Sequence, residues 1–255
     1  MKRLDMTERR DRIIALLSEN GELSAAELSE RLAVSVQTIR TDLRDLDAAA
    51  LVQRRNGSAR LRQQSENIGY LPRESISRQE KQRIALAVKN LIPNGARVAL
   101  GTGTTVEHCA RLLASHEDLF VVTNSIHAVC ALQNAPRVVV EMAGGAVRMR
   151  DLDMIGVPAL EFFAKYRVDY AIFSCGGLSE GGTVMDYNSE EISTRKAIAG
   201  CANTTILVMD SEKFGLDLAC YHAHLRDYDM VVTGAHLPDD VLRACDQSGC
   251  RIIKV

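Results

Sequence analysis

The chain has 255 residues, enough for a substantial core in one domain or two. Apolar residues make up 46% and charged residues 25%, the balance of an ordinary soluble globular protein, and no run approaches the roughly 20 apolar residues of a membrane helix. The net charge of −2 argues against binding polyanions over the whole surface, but residues 1–62 carry +2 and the remainder −4, so any nucleic-acid contact is local.

The N-terminus, MKRLDMTERRDR, has no apolar run behind its charges and does not read as a signal peptide. Seven scattered cysteines without a CxxC pair suit a reducing, cytoplasmic setting, most of them as small buried hydrophobes. Thr7 to Glu19 predicts a helix with Ile13, Leu16 and Leu17 on one stripe, ended by Gly21 in a left-handed cap. Ser24 and Glu27 then form an S-x-x-E capping box, opening a short helix that ends near Ala33.

Ser35 caps a third helix, SVQTIRTDLRDL. Its Val36, Ile39, Leu43 and Leu46 fall within about 80° of one another and face a core. Gln37, Thr41 and Arg44 lie opposite, with Arg40 at the edge and Thr38 flanking. LVQRRNGSARLR follows. Asn56-Gly57 is the dipeptide a type I′ hairpin turn requires, and the arms carry Arg54, Arg55, Arg60 and Arg62 with no acid. Helix, short helix, turn, helix and basic hairpin predict a winged helix-turn-helix over residues 1–62. The third helix would offer Ser35, Gln37, Thr38, Arg40, Thr41 and Arg44 to the major groove of double-stranded DNA. Arg54, Arg55, Asn56 and Gly57 of the wing would lie against phosphates. A solvated three-helix packing unit is the alternative, and the uncompensated wing arginines weigh against it.

Residues 63–78 are polar, with a Gly and a Pro, and read as a linker. From Gln79, β-rich runs at 97–100, 119–122, 138–142, 170–173, 205–209, 230–233 and 251–255 alternate with amphipathic stretches such as Thr105–Ser115 and Ser189–Ala202. Runs apolar on both faces predict an α/β domain with a mainly parallel sheet, whose sites lie at the carboxyl ends of strands. Three such ends are polar: Gly101, Thr102, Gly103, Thr104 and Thr105; Thr123, Asn124 and Ser125; and Asp210, Ser211 and Lys213. Glycine amides, hydroxyls and a helix N-terminus suit an anion, a lysine adds a cation, and Asp210 could accept from sugar hydroxyls. Together they predict a site for a small phosphorylated ligand.

These motifs resemble those of the DeoR family of bacterial sugar-responsive transcription regulators. The matching stretches are SVQTIRTDLRDL, LVQRRNG, GTGTT, TNS, Gly144-Gly145, Gly181-Gly182-Thr183 and DSEKFG. The resemblance implies a sensor domain similar in fold to ribose-5-phosphate isomerase and a sugar or polyol phosphate as effector. Gly101 to Thr105, Asn124, Ser125 and Lys213 would hold the phosphate, with Asp210 near the sugar. It further implies a cytoplasmic repressor of a carbohydrate-metabolism operon, without a cofactor, acting as a homodimer or homotetramer and released or modulated by its ligand. The chain departs from the family pattern at Thr41, usually a second Arg, and at Asn56-Gly57-Ser58, usually His-Gly-Gly.

Two rival readings exist. An isomerase-like enzyme with an appended DNA-binding domain would need the D-G-x-D and K-G-G-G runs of such isomerases, and FSCGGLSEGG stands at the equivalent strand exit. Glu190 or Glu191 could approach the pocket there, although a glutamate at a helix start ordinarily serves the dipole. A metal-responsive regulator would use Cys220, His222 and His224, alternate residues of CYHAH that can share one face of a strand.

Overall fold

A computed structural model of the chain describes residues 6–48, 51–55, 57–61 and 70–255. It divides into two compact units, residues 1–78 and 79–255. In the first unit α1 (Met6–Asn20) is followed by β1 (Glu22–Ser24), α2 (Ala25–Leu32), α3 (Val36–Ala48), β2 (Val52–Arg55) and β3 (Ser58–Leu61). Gly21 ends α1 at φ +76°, and its amide donates to Leu17. Ser24 and Glu27 make both bonds of the capping box, and Ala33 closes α2 in the left-handed region. The three strands form an antiparallel sheet in the order β1-β3-β2, with Arg55 opposite Ser58 across the hairpin turn. Ile13, Leu17, Leu28, Ile39 and Leu43 fill the core beneath.

Asn56, Arg62 and the first part of the predicted linker, residues 63–69, lie outside the described residues. Tyr70–Ser75 of that stretch forms a short helix, α4, with Tyr70 buried and the Arg73 guanidinium over its ring. Pro72 stands in the first turn of this helix, where a proline is tolerated because no intrahelical donor is lost.

The second unit continues with α5 (Arg78–Leu91), β4 (Arg97–Leu100), α6 (Thr104–Leu113), β5 (Leu119–Thr123), α7 (Ile126–Leu132) and β6 (Val138–Met142). Next come β7 (Val147–Arg148), β8 (Asp153–Met154), α8 (Val157–Phe163), β9 (Val168–Phe173), β10 (Gly177–Leu178), β11 (Thr183–Asp186) and α9 (Ser189–Gly200). The chain ends through β12 (Ala202–Met209), β13 (Cys220–His224), β14 (Met230–Thr233), α10 (Asp239–Ser248) and β15 (Arg251–Lys254).

Seven strands form one wholly parallel sheet, β15-β14-β12-β9-β4-β5-β6, and each matches one of the seven runs expected from the sequence, the last ending at Lys254 rather than Val255. Side chains alternate across it. Val98, Leu100, Ile172, Ile206 and Val208 pack beneath α5, α6 and α7, whereas Ala99, Ala171, Phe173, Leu207 and Met209 pack with α8, α9 and α10. Burial on both faces is what makes these strands continuous apolar runs. From β4 the chain winds to β5 and β6 on one side, then crosses to β9 and beyond on the other, so the direction reverses between β4 and β9. Open parallel sheets bind ligands at the carboxyl ends beside such a reversal.

Glu80 of α5 ties two strand exits together. Its carboxylate accepts from the Ser211 amide and hydroxyl at 2.8 and 2.7 Å and from the Gly234 amide at 3.1 Å. A Cβ on Gly234 would stand 2.4 Å from Glu80 Oε1. Because those bonds pin the carboxylate, Gly234→Ala is expected to lower stability by about 1–3 kcal/mol, measured by urea denaturation; an unchanged midpoint would contradict the clamp.

Candidate functional site

The face expected from the sequence to meet DNA is built by α3 and the β2–β3 hairpin. Thr38 donates its amide to Ser35 Oγ at 3.1 Å, and the two hydroxyls meet at 2.8 Å, so Ser35 and Thr38 cap the helix. Thr41 returns its hydroxyl to the Gln37 carbonyl. Gln37, Arg40 and Arg44, one turn apart in succession, are exposed on this face, as is Ser35 at its start. Arg54, Arg55 and Gly57 of the hairpin are also exposed. Arg40, Arg44, Arg54 and Arg55 make no ion pair with a described residue.

Arg9 and Arg10 of α1 are engaged otherwise. Both bond Asp42, a nearly inaccessible residue of α3, and Arg10 also bonds Asp45. This cross-brace fixes α3 against α1, a pairing invisible in sequence because the partners are more than thirty residues apart. The hairpin arms carry no acid, and the nearest carboxylate in register comes from β1. Glu22 on β1 pairs in register with Arg60 and accepts from the Ser58 hydroxyl, while Arg60 bonds Gln53. Arg54 and Arg55 of the outer arm are exposed.

In the second unit a small cleft, partly open to solvent, lies at the reversal of strand direction. Thr102 after β4, Asn124 after β5, Asp153 and Ile155, Phe173 at the end of β9, and Glu191, Thr194, Arg195 and Ile198 of α9 line it. Gly101 lets the chain leave β4 against β9, since a Cβ there would stand 3.0 Å from Phe173 Cβ. Gly103, at φ +121°, opens α6 without a side-chain cap, and Thr104 and Thr105 are buried in the first turn.

Of the sequence-predicted residues, Thr102 and Asn124 therefore meet in the cleft. Ser125 caps α7 through its hydroxyl, which accepts from the Ala128 amide. Asn124 spends an amide hydrogen on the Met154 carbonyl at 2.7 Å. Asp210 is buried and pairs with Lys81 of α5 at 3.6 Å; neither Asp210 nor Lys213 lines the cleft. Lys213 nonetheless lies close enough to act on the charge of Asp186.

Of the charged wall of this cleft, the sequence pointed to Glu191 alone, which lines it as Glu190 does not. Arg148 makes two bonds to Asp153, at 2.9 and 2.8 Å, and a third to Glu191. Arg195 Nη2 lies 2.9 Å from Asp186, while Nη1 is buried without a hydrogen-bond partner. Glu191 and Arg195, four residues apart, share one face of α9, a spacing legible in the sequence although its burial is not.

The carboxyls of Asp186 and Glu191 act on each other's proton affinity. Burial pushes the Asp186 carboxyl up to about 7 against the nearby Arg195 charge. Burial also acts to raise Glu191, but its bond with Asp186 and the charges of Arg195 and Arg148 outweigh that and hold it low. A carboxyl raised in the fold favours folding at low pH and loses that advantage as pH rises through its folded value. Thermal stability is accordingly expected to decline between about pH 4 and 7 in the wild type and to decline less in Asp186→Asn; parallel melting curves for the two would contradict the raised Asp186 carboxyl.

The metal reading finds no support in the donor geometry. Among the described residues no three His, Cys, Asp or Glu side chains gather as a metal site. His222 is buried, bonded through Nδ1 to the Tyr228 hydroxyl at 2.8 Å, and held down to about 4 by burial and by Arg195 and Lys196. No helix among the described residues is long and apolar enough to cross a membrane.

Residues 9–65 match the DeoR-like helix-turn-helix domain and residues 76–235 the DeoR C terminal sensor domain. The glycerol-3-phosphate regulon repressor of Escherichia coli (strain K12) is 33% identical over 240 residues, 94% of this chain and 95% of the relative. The HTH-type transcriptional repressor CsqR of the same organism is 35% identical over 206 residues, 81% of this chain and 79% of the relative. Among solved structures, a D-ribose-5-phosphate isomerase in complex with phospho-erythronic acid aligns at a TM-score of 0.39 with 17% identity over 54% of each chain. That partial likeness carries no functional statement. The curated relatives are transcription regulators, not enzymes. With a DNA-binding helix-turn-helix domain and a sensor domain that both match, this chain belongs to the DeoR family of transcription regulators.

Proposed function

We propose that the protein is a cytoplasmic repressor of a carbohydrate-metabolism operon, released from its operator by a phosphorylated sugar or polyol bound in the cleft. Ser35 and Thr38 set the start of α3, Gln37, Arg40, Thr41 and Arg44 read bases, and Arg54, Arg55 and the Asn56-Gly57 turn rest on phosphates. A homodimer or homotetramer would place two such helices on half-sites a helical turn apart. Both relatives named above are repressors, one of a glycerol-3-phosphate regulon.

The observation that carries the effector reading is Arg195. A buried guanidinium has an unspent Nη1 donor in the lining of a cleft that also contains Thr102 of the glycine-threonine loop. Unpaired donors on a buried cation suit an oxyanion. The Gly101–Thr105 loop and Lys213 would complete the phosphate seat, with Asp210 holding Lys81; Ser125 would contribute less than its place in the sequence implied, since its amide donates to Thr123 Oγ1 and its hydroxyl accepts from the Ala128 amide. Asn124 fits this seat less well than its place in the sequence implied, since its unpartnered atom is an acceptor.

A thermal-shift screen of sugar and polyol phosphates against the full chain tests this reading: at least one is expected to raise the melting temperature, and silence across the series would contradict it. Operator affinity is further expected to fall steeply as salt rises from 50 to 200 mM, because arginines displace counterions from phosphates; a flat dependence in a filter-binding titration would remove the wing from the contact.

A further inference from the structure

The cleft carries chemistry that a phosphate seat leaves unused. Asn124 is 1% exposed, and its Nδ2 donates to the Met154 carbonyl at 2.7 Å. That contact fixes the orientation of the amide, because a carbonyl can accept only from the nitrogen. Oδ1 is therefore a buried acceptor without a hydrogen-bond partner, in a residue that lines the cleft. Asp153 and Glu191 share that lining, both anchored by Arg148.

An ionised carboxylate offers about four acceptor positions, so the grip of Arg148 leaves capacity on each. Thr194, the neighbouring hydroxyl, spends its hydrogen on the Glu190 carbonyl at 2.9 Å. This part of the lining is thus rich in acceptors and poor in donors. A ligand that satisfies it must bring O–H groups, and a buried acceptor left unmet is costly.

We propose that Asn124, Asp153 and Glu191 form a hydroxyl-reading wall, which selects phosphate esters of polyols or sugars over phosphate esters without a free hydroxyl. The proposal rests on the cleft being the effector site and adds the basis of its selectivity. The carboxylates recognise the polyol portion and Arg195 with the glycine-threonine loop the anionic portion, so neither half alone binds well.

The test is isothermal titration of the full chain with glycerol 3-phosphate, ribose 5-phosphate, glucose 6-phosphate, propyl phosphate and inorganic phosphate. At least one hydroxylated ester is expected to bind at least about tenfold more tightly than propyl phosphate. In Glu191→Gln and Asp153→Asn that preference is expected to shrink to about threefold or less, through weaker binding of the hydroxylated ester. Melting curves of the unliganded variants establish that they fold. Asp153 is fully buried, so Glu191→Gln decides the matter if Asp153→Asn does not fold. Equal affinity of the wild type for propyl phosphate and the hydroxylated esters overturns the wall but not the phosphate seat, as do folded variants that keep the preference. Absence of binding by all five probes, or a response to magnesium ions alone, overturns the effector reading and the wall together.

Discussion

Arg40→Ala and Arg44→Ala are each expected to weaken operator binding by about 1–3 kcal/mol, and the double variant to abolish a gel shift. Both side chains are exposed on α3 and make no ion pair with a described residue, so their removal exposes no buried carboxylate and the fold is expected to persist. The contrast is with Arg9 and Arg10, whose guanidinium groups brace Asp42. Alanine at those positions would act on operator binding through the seating of α3 and would lower the melting temperature as well. Circular dichroism melting therefore separates the two pairs. Gel shifts unaffected by Arg40→Ala and Arg44→Ala would remove α3 as the reading helix.

Arg195→Met carries the second large effect. The side chain stands beside the Asp186–Glu191 pair, with 11% of its surface exposed, and removing it leaves those carboxyls facing one another with Arg148 as the remaining guanidinium on Glu191. Breaking a buried pair by deleting one partner costs about 3–5 kcal/mol, and a proton taken up by Asp186 would soften this toward the lower end. The variant is expected to melt well below the wild type and to need about tenfold or more of any active sugar phosphate for release. Wild-type stability together with a wild-type response would contradict both roles given to Arg195. Lys213, half-exposed and outside the lining, is expected to produce the smaller loss of response when replaced by alanine.

The sequence disclosed most of the scaffold because local signals and tertiary structure agree. Seven runs apolar on both faces became seven parallel strands, the Ser24–Glu27 box formed both its bonds, and Gly21 took the left-handed conformation that ends α1. The short elements escaped notice. β1 spans three residues and exists through pairing with β3, and α4 hides behind Gly69 and Pro72, which read as breakers.

Within the site, the glycine-threonine loop and Asn124 were legible because strand ends announce themselves by a change from apolar to polar. Glu191 was legible as a helix-start carboxylate near the pocket, but its pairing with Arg148 and Asp153, and the Asp186–Arg195 pair, were not. Their members come from β7, β8, β11 and α9, and α9 turns Glu191 and Thr194 inward where an amphipathic pattern would place apolar residues. A buried face that is half polar cannot be distinguished from a solvated one by periodicity alone.

In the proposed function, occupancy of the cleft governs the grip of α3 and the wing on DNA. The most direct test of this is fluorescence anisotropy of a labelled duplex from the promoter upstream of the protein's own gene, titrated with full chain in the presence and absence of each phosphate ester. An ester that binds the cleft is expected to weaken DNA affinity by about 5- to 150-fold, a coupling of about 1–3 kcal/mol. An ester that binds the protein tightly yet leaves the DNA titration unchanged would contradict it.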